Sequence, residues 1–268
     1  MNFLKREHAP ITDEVWSEID RAAKRALETR LKGRRIIDVD GPHGWDLSSV
    51  GLGRLSLSAT ELVEGVETGI RRSLSLVESR ARCELDLWEL DNISRNAKDV
   101  DFGPLEDAVR RAARFEDQAI FHGFAEADIS GLMEASPHDP IELEGEINGF
   151  LNALSEARLV LQRSSIEGPY ALVLGADLYR FVASVSEGYP LSRRVSSLVG
   201  GPVLESELVS DGLLASLRGG DFEMILGQDF SVGYETHDSR SLRLFVTESF
   251  TFRIIEPAAV ARLVPVAS

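Results

Sequence analysis

Apolar residues recur every three or four positions in three stretches of the chain, which is the spacing of an amphipathic helix. The first stretch follows Thr12, a residue type that caps helix N-termini, and stops before Gly33. The second covers residues 101–123 and the third covers residues 147–163. The pattern therefore predicts three helices, each of which buries one face.

Other stretches alternate apolar and polar residues, or are short and apolar, which is typical of strands. From Arg80 to Trp88 the alternation is regular, and both of these residues fall on the charged face of the predicted strand. The remaining pattern predicts a buried strand over 170–174, a short helix over 176–185, and strands over 212–217, 222–226, 230–234 and 242–255. Because no βαβ unit repeats, the sequence favours the α+β class.

Two segments lack a helix or strand pattern of their own. Residues 41–72 contain six glycines and only a short alternating piece near Leu55, so they are predicted to form a long loop or hairpin. A poorly cored segment of this length commonly reaches a neighbouring surface. Residues 1–10 are predicted to form an arm that becomes ordered only when another surface, such as another subunit, holds it.

Charge and composition narrow the classes of function. The chain has 268 residues, with 29 Lys and Arg against 44 Asp and Glu, and a net charge of −15. This balance argues against a general nucleic-acid binder, whose affinity comes from phosphate neutralisation. No apolar run has the length of a signal peptide or a membrane span, and Cys83 has no partner for a disulfide. We therefore expect a cytoplasmic protein that binds neither nucleic acid nor membrane.

The sequence lacks the motifs of common catalytic and metal sites. The five His residues do not form H-E-x-x-H, H-x-H or E-x-x-H patterns, and no nucleophile elbow or phosphate-binding glycine loop occurs. Acidic pairs such as Glu116–Asp117, and Glu89 with Asp91, are interpreted as solvated faces or ion pairs. The residues therefore predict no enzyme activity, no metal site and no required cofactor.

Two aromatic positions leave alternatives open. Trp88 lies in phase with the charged face, so it is interpreted as a subunit contact, as the lid of a local core, or as a stacking platform for a planar ligand beside Arg80. Phe230, Val232 and Tyr234 alternate as a core-facing strand does, or as the wall of an apolar groove for a partner peptide. Spacing alone does not choose between them.

Eight segments, in order, resemble the shell protein of encapsulin nanocompartments, the family also known as linocin-type bacteriocins. They are FLKRE-H-AP-ITDEVW at the start, GRRIIDVDGPHGWD at 33–46, LDLWELDNI at 85–93, FEDQAIFHG at 115–123, IEGPYALVLG at 166–175, GYPLSRRV at 188–195, RGGDFEMILGQDFSVGYETHD at 218–238 and LFVTESFTFRIIEP at 244–257. No single segment is decisive, but together they span nearly the whole chain.

The resemblance implies the Hong Kong 97-like fold of tailed-phage major capsid proteins, an α+β fold with a peripheral domain, an extended loop and an axial domain. The N-terminal arm and helix would take residues 1–40 and the extended loop residues 41–72. The peripheral domain would take residues 73–131 and 222–268, and the axial domain residues 132–221.

The resemblance also implies three sites. A C-terminal targeting peptide of a cargo protein would bind in a groove on the inner face, formed by Leu27, Leu31, Arg34, Ile36, Asp38, Phe230 and Tyr234. Some family members hold a flavin on the tryptophan that corresponds to Trp88, with Arg80 nearby. The fivefold pore would be lined by Ser186, Glu187, Gly188 and Tyr189. Some relatives place a His beside this Tyr and this chain does not, so the sequence gives no support to a pH-responsive pore.

The implied function is that of a shell subunit, which assembles with copies of itself into a closed icosahedral compartment around a tagged cargo enzyme. Cargo in the family is typically a ferritin-like iron oxidase or a dye-decolorising peroxidase, for iron storage or defence against oxidative stress. We expect about 60 copies per shell, and the sequence leaves shells of about 180 or 240 copies open. Two alternatives remain, namely a protease or bacteriocin-type activity and a true phage major capsid protein.

Overall fold

The computed structural model describes residues 3–144 and 146–266, and for Glu187 it describes the backbone alone. The helices within these ranges are α1 Asp13–Glu28, α2 Leu87–Ser94, α3 Gly103–His122, α4 Leu132–Ala135, α5 Ile147–Arg163, α6 Ala176–Ser184 and α7 Leu191–Val199. The strands are β1 Asp38–Asp40, β2 Ser49–Leu57, β3 Gly69–Ser75, β4 Val77–Asp86, β5 Ile141–Leu143, β6 Tyr170–Leu174, β7 Ser186–Glu187, β8 Tyr189–Pro190, β9 Val203–Glu205, β10 Gly212–Ser216, β11 Phe222–His237, β12 Ser241–Ile254 and β13 Val260–Pro265. Helices and strands are thus mixed along the chain, as the α+β prediction requires.

The two largest sheets of the described residues have four and five strands. One sheet has the order β1-β11-β12-β4, in which only the β1–β11 pair is parallel. The other has the order β5-β13-β10-β6-β9, with parallel pairs at both edges and antiparallel pairs between them. Strand β13 pairs with β10 and β5. Residues 260–265 therefore lie in the sheet of the predicted axial domain, although the sequence predicts them to belong to the peripheral domain with the rest of 222–268. The domain boundaries otherwise stay a prediction.

Helix α3 connects two hydrophobic cores. Its first half, including Leu105 and Val109, packs with α1, β4 and β12. Its last turns, including Ile120 and Phe121, pack with α5 and the five-stranded sheet. Pro104 stands in the first turn, where a missing N–H costs nothing, and Gly123 follows the last residue with a positive φ of 80°. The helix predicted over 101–123 is confirmed, and it ties the two sheets together.

Helix α1 is shorter than the sequence predicts. Its N-cap is Thr12, whose hydroxyl accepts a hydrogen bond from the Val15 N–H at 3.4 Å. It ends at Glu28, and residues 33–35 form a separate 3-10 turn. The carboxylate of Asp117 accepts hydrogen bonds from the backbone N–H groups of Lys32 and Gly33, at 3.1 and 2.8 Å. This tertiary contact anchors the segment after α1 against α3.

The strand predicted over 80–88 ends earlier than expected. Strand β4 stops at Asp86, whose carboxylate accepts hydrogen bonds from the N–H groups of Trp88 and Glu89 and so caps α2. Trp88 therefore lies at the start of a helix and not on the charged face of the strand. The strands predicted over 222–226 and 230–234 are likewise one strand, β11, which is interrupted by bulges and does not stop at a turn.

Residues 49–75 form a projecting hairpin, in which β2 and β3 pair with each other alone. Its apolar side chains are exposed, with Leu57 at 76%, Leu62 at 85% and Ile70 at 73%. The hairpin lies within the segment that the sequence predicts to be an extended loop. In the described subunit these side chains have no core to pack against.

Candidate functional site: a groove beside the first helix

A cavity of about 520 Å³ lies between the C-terminal half of α1, the N-terminal arm and the middle of β11. Its lining residues are Leu4, Arg6, Asp20, Ala23, Lys24, Leu27, Leu31, Arg34, Asp229, Phe230, Ser231, Val232 and Val246. We call this cavity the groove. Apolar side chains form its walls, and charged side chains stand at its floor and rim.

The arm forms one wall of the groove and is held by its own subunit. The Arg6 guanidinium binds both carboxylate oxygens of Asp20, at 2.8 and 2.6 Å, and donates through Nε to the Val232 carbonyl at 2.8 Å. The Leu4 carbonyl accepts a hydrogen bond from the Tyr234 N–H at 2.8 Å. The arm is thus held by another surface, as the sequence predicts, and for residues 3–10 that surface belongs to the same chain. Residues 1–2 lie outside the described ranges.

The floor of the groove is a buried ionic network around Arg34. Its guanidinium binds Glu116 through Nε and Nη2, with distances down to 2.6 Å, and reaches Asp229 at 2.9 Å and Glu248 at 3.4 Å. Glu116 and Glu248 are both 0% exposed. The same guanidinium lies 5.1 Å from the ring centre of Phe230, which fixes this aromatic wall of the groove. The Arg34 guanidinium therefore forms ion pairs with three acids, two of which have no access to solvent.

Burial favours the protonated form of the two buried acids. Burial raises the pKa of the Glu116 carboxyl, against the hydrogen bond and charge of Arg34. Burial and the neighbouring Glu116 charge raise the pKa of Glu248 well above its usual range. Two buried carboxylates beside one guanidinium repel each other, which favours protonation of one of them. We therefore assign the proton to Glu248, since Arg34 binds Glu116 more closely.

This assignment predicts how Glu248→Gln changes stability with pH. The raised pKa keeps the proton on Glu248 in the folded state, whereas the unfolded chain releases it above about pH 4.3. The wild-type chain therefore loses stability as pH rises from there towards the folded pKa, and the Gln variant, which keeps the donor without titrating, does not. We expect the melting temperature of the variant minus that of the wild type to increase from pH 4 to pH 8.

In a chain of this length, each kcal/mol of change in the free energy of unfolding shifts the melting temperature by roughly 2–4 °C. Glu142→Gln, at an exposed position on β5, serves as the control. A melting-temperature difference for Glu248→Gln that is flat or falls with pH would show that Glu248 is ionised in the fold.

Four of the seven predicted groove residues line the groove, namely Leu27, Leu31, Arg34 and Phe230. Ile36 does not, because it is 2% exposed and packs in the larger core. Asp38 lies beside the turn before β11, where it accepts a hydrogen bond from the Gly220 N–H at 2.5 Å.

Tyr234 lies farther along β11, and its hydroxyl is hydrogen-bonded to His237 at 2.7 Å. Leu27 of α1 and Leu31 in the segment after it line the groove, whereas tertiary packing turns Ile36 inward and Asp38 away.

The sequence interprets Glu116 and Asp117 as part of a solvated face or as ion pairs. The solvated-face alternative is wrong because both residues are buried, whereas Glu116 does form an ion pair, with Arg34. Glu116 is 0% and Asp117 5% exposed, and each carboxylate has a specific partner. Burial raises the pKa of Asp117 to about 7, although the N–H groups of Gly33 and Lys32 favour its charge. Their position on the apolar stripe of α3, next to Phe115 and Ala119, is the signal that could have revealed the burial.

The predicted pore residues form a small hairpin at the end of α6. Ser186 pairs with Pro190 and Glu187 pairs with Tyr189, and Gly188 makes the turn with a φ of 75°. A Cβ at this glycine would meet open space, so backbone conformation rather than crowding favours glycine there. Tyr189 is 60% exposed. The hairpin therefore projects from the described subunit.

The residues predicted to hold a flavin do not meet within one subunit. Trp88 is 69% exposed at the start of α2. Arg80 lies six residues before the end of β4, roughly 20 Å away along the strand, and its guanidinium packs on the ring of Phe245 at 4.3 Å. One described chain thus offers an exposed indole but no site that combines Arg80 with Trp88.

Among residues 3–144 and 146–266, no group of three or more His, Cys, Asp or Glu residues has the arrangement of a metal site. Within the same ranges, no helix combines the length and the apolar character needed to cross a membrane.

Comparison with known proteins identifies the family. The family model described as "Encapsulating protein for peroxidase" matches residues 1–251. The type 1 encapsulin shell protein of Rhodospirillum rubrum is 40% identical over 270 residues, which cover 98% of this chain and 96% of the relative. That of Mycobacterium tuberculosis is 34% identical over 253 residues, which cover 94% of this chain and 95% of the relative.

Solved structures share the fold at low sequence identity. A virus-like particle protein of Pyrococcus furiosus has a TM-score of 0.65 at 14% identity, and the match covers 92% of this chain and 98% of the other. The capsid protein of the myovirus phage XM1 has a TM-score of 0.54 at 13% identity, with 86% and 90% covered. These matches confirm the predicted capsid fold. On these grounds the chain belongs to the type 1 encapsulin shell-protein family, and it is a subunit of a capsid-like compartment.

Proposed function

We propose that about 60 copies of this chain close into a hollow icosahedral shell, and that the shell captures cargo proteins through a peptide tag bound in the groove. In this proposal the chain has no enzymatic activity of its own and works in the cytoplasm. Its relatives are named as shell proteins, which supports the structural role. The compact length, without large insertions, supports the smaller shell.

The projecting hairpin is the observation that carries the assembly proposal. Leu57, Leu62 and Ile70 expose apolar surface along both its strands and its tip. Exposed apolar surface of this extent marks an interaction site in a soluble protein. A neighbouring copy is the occupant we propose, because a closed shell supplies the same surface to every subunit and leaves no hairpin uncovered.

The groove supports the cargo proposal. Leu27, Leu31 and Phe230 offer apolar pockets, and the rim provides Lys24 and Asp229 for polar contacts. Along β11 the arm already uses the N–H of Tyr234 and the carbonyl of Val232. An extended peptide would therefore bind beside the arm and place its side chains in these pockets, as in other cases of short-peptide recognition.

The cargo class is part of the proposal. The family description names a peroxidase, which favours a dye-decolorising peroxidase as cargo and oxidative-stress defence as the role. A ferritin-like iron oxidase, for iron storage, is the second candidate. In the same proposal the hairpin at Ser186–Tyr189 lines the pore on the fivefold axis.

Phe230→Ala tests the groove. Loss of the ring removes an apolar wall, and a buried anchor of this kind contributes on the order of 1–3 kcal/mol, so tag affinity should fall by about tenfold or more. The measurement is the loading of shells with a fluorescent protein fused to the C-terminal segment of the protein that copurifies with native shells. Tyr234→Ala is the matched control, since it removes an aromatic ring of the same strand outside the groove. Equal loading of both variants would contradict the groove assignment.

A further inference from the structure

A second cavity, of about 540 Å³, lies where the segment after α1, the middle of α3 and residues 205–208 meet. Its basic residues are Arg30, Lys32, Arg110, Arg111 and Arg114, and its acidic residues are Asp107, Asp117, Glu205 and Glu207. We call it the basic cavity. Bases outnumber acids here, although acids outnumber bases by 44 to 29 in the whole chain. This local reversal of charge calls for an explanation.

Two of the four acids already have partners. Asp107 forms an ion pair with Arg110 one turn later on α3. Asp117 accepts the two backbone N–H groups of Lys32 and Gly33 and is 5% exposed. Neither carboxylate is therefore available to neutralise the remaining basic side chains.

The other cations lack adequate partners. Arg111 donates to the Arg82 carbonyl at 2.8 Å, a contact that leaves its charge uncompensated. The Lys32 ammonium forms no side-chain hydrogen bond or close ion pair within the described residues, and its charge acts on Asp117 only from a greater distance. The basic cavity therefore holds unpaired positive charge next to a space of ligand size.

Glu207 occupies the position that an anion would take. Its two carboxylate oxygens lie 3.8 Å from Arg30 Nη1 and 3.9 Å from Arg114 Nη1. Both distances exceed the hydrogen-bond range, and the Glu207 side chain is 68% exposed. The two guanidiniums thus converge on a point that this carboxylate reaches only loosely.

Helix electrostatics explain part of the cluster but not all of it. Arg30 and Lys32 follow the C-terminal end of α1, where the helix dipole favours cations. Arg111 and Arg114 lie in the middle of α3, where no dipole assists them, and only Arg110 beside them is paired within the helix, with Asp107. A bound anion would compensate the charges of Arg111 and Arg114.

We propose that the basic cavity binds a small anion that bears phosphate groups, held between Arg30 and Arg114 with Lys32 and Arg111 as further contacts. Guanidinium groups match phosphate oxygens with paired N–H donors, and several charges at separate points suit a ligand with more than one phosphate. The cavity volume falls in the range of roughly 300–1,000 Å³ that small-molecule sites occupy. This inference does not depend on cargo capture in the groove.

The test is binding of inorganic pyrophosphate to the purified full-length protein in its assembled state without cargo, measured by calorimetry at low and at physiological salt. We expect saturable binding near one site per chain. Arg30→Gln and Arg114→Gln should each weaken it at least tenfold, whereas Arg180→Gln, an exposed arginine outside the cavity, should not change it. Glu207→Gln should strengthen binding several-fold, because it removes the competing carboxylate.

Three results would overturn the proposal. The first is no saturable binding of pyrophosphate. The second is citrate binding as tightly as pyrophosphate, which would show selection by charge alone. The third is failure of Arg30→Gln or Arg114→Gln to assemble while remaining folded, which would show that the basic cavity receives an acidic segment of a neighbouring copy.

Discussion

Replacing Ile36 with Asp should leave no folded subunit, whereas the same replacement at Leu31 should leave intact, empty shells. Ile36 is 2% exposed in the core that also holds Ile120 and Phe121, so the Asp carboxylate would be buried without a partner. An uncompensated buried charge costs several kcal/mol, against a total stability of about 5–15 kcal/mol for a protein chain. Leu31 is only partly buried and lines the groove, where a carboxylate keeps contact with water.

Soluble expression followed by electron microscopy separates the two variants. Ile36→Asp should be recovered in the insoluble fraction, and Leu31→Asp should form particles that exclude tagged cargo. Ile36→Val, which keeps the apolar contact, is the control for the core position. Intact shells from Ile36→Asp would place residue 36 at the surface and contradict the packing described for the segment after α1.

Replacing Arg34 with Met should destabilise the subunit by about 3–5 kcal/mol, because the change leaves buried carboxyls without their cation. Glu116 is 0% exposed and receives the closest contacts of this guanidinium. Burial opposes the charge of Arg34, yet its hydrogen bond to Glu116 and the nearby acids raise the Arg34 pKa, so the cation is present at every working pH. A loss of this size appears as a fall of roughly ten degrees in melting temperature.

A double variant shows whether the effect comes from the unpaired acid. Arg34→Met with Glu116→Gln should recover at least half of the lost melting temperature, since the partner charge is then absent as well. Arg35→Met, an exposed position in the same turn, is the matched control. If the double variant is less stable than Arg34→Met alone, the role of Arg34 is packing and not charge compensation.

The sequence predicts the three longest helices, α1, α3 and α5, because their signals are local, and it misses the shorter α2, α4 and α7. Thr12 caps α1, Gly123 follows α3, and the apolar period of α5 gives its range over Ile147–Arg163. The sequence also contains a signal for the end of β4. Asp86 and Glu89 have the spacing of a helix-capping pair, which predicts that a helix starts there. Regular alternation through Trp88 outweighed that signal and extended the predicted strand too far.

The candidate site is harder to predict because its geometry depends on contacts between distant segments. Arg34 meets Glu116 and Glu248, which lie 82 and 214 residues away along the chain. Asp117 anchors the turn at Gly33 and thereby directs Ile36 into the core. No spacing rule connects these positions, so the family resemblance placed Ile36 in the groove and the charge pattern left the acids as a solvated face or ion pairs. The family resemblance predicts a binding site in this region, and the side-chain directions within it follow from tertiary packing.

The central claim is that this chain is a shell subunit that closes upon copies of itself. The direct measurement is particle mass and negative-stain imaging of the purified full-length protein at micromolar concentration in physiological salt. We expect uniform hollow particles of roughly 1.8 MDa, which correspond to about 60 chains of 29.5 kDa. Monomers or dimers as the stable species under these conditions would contradict it.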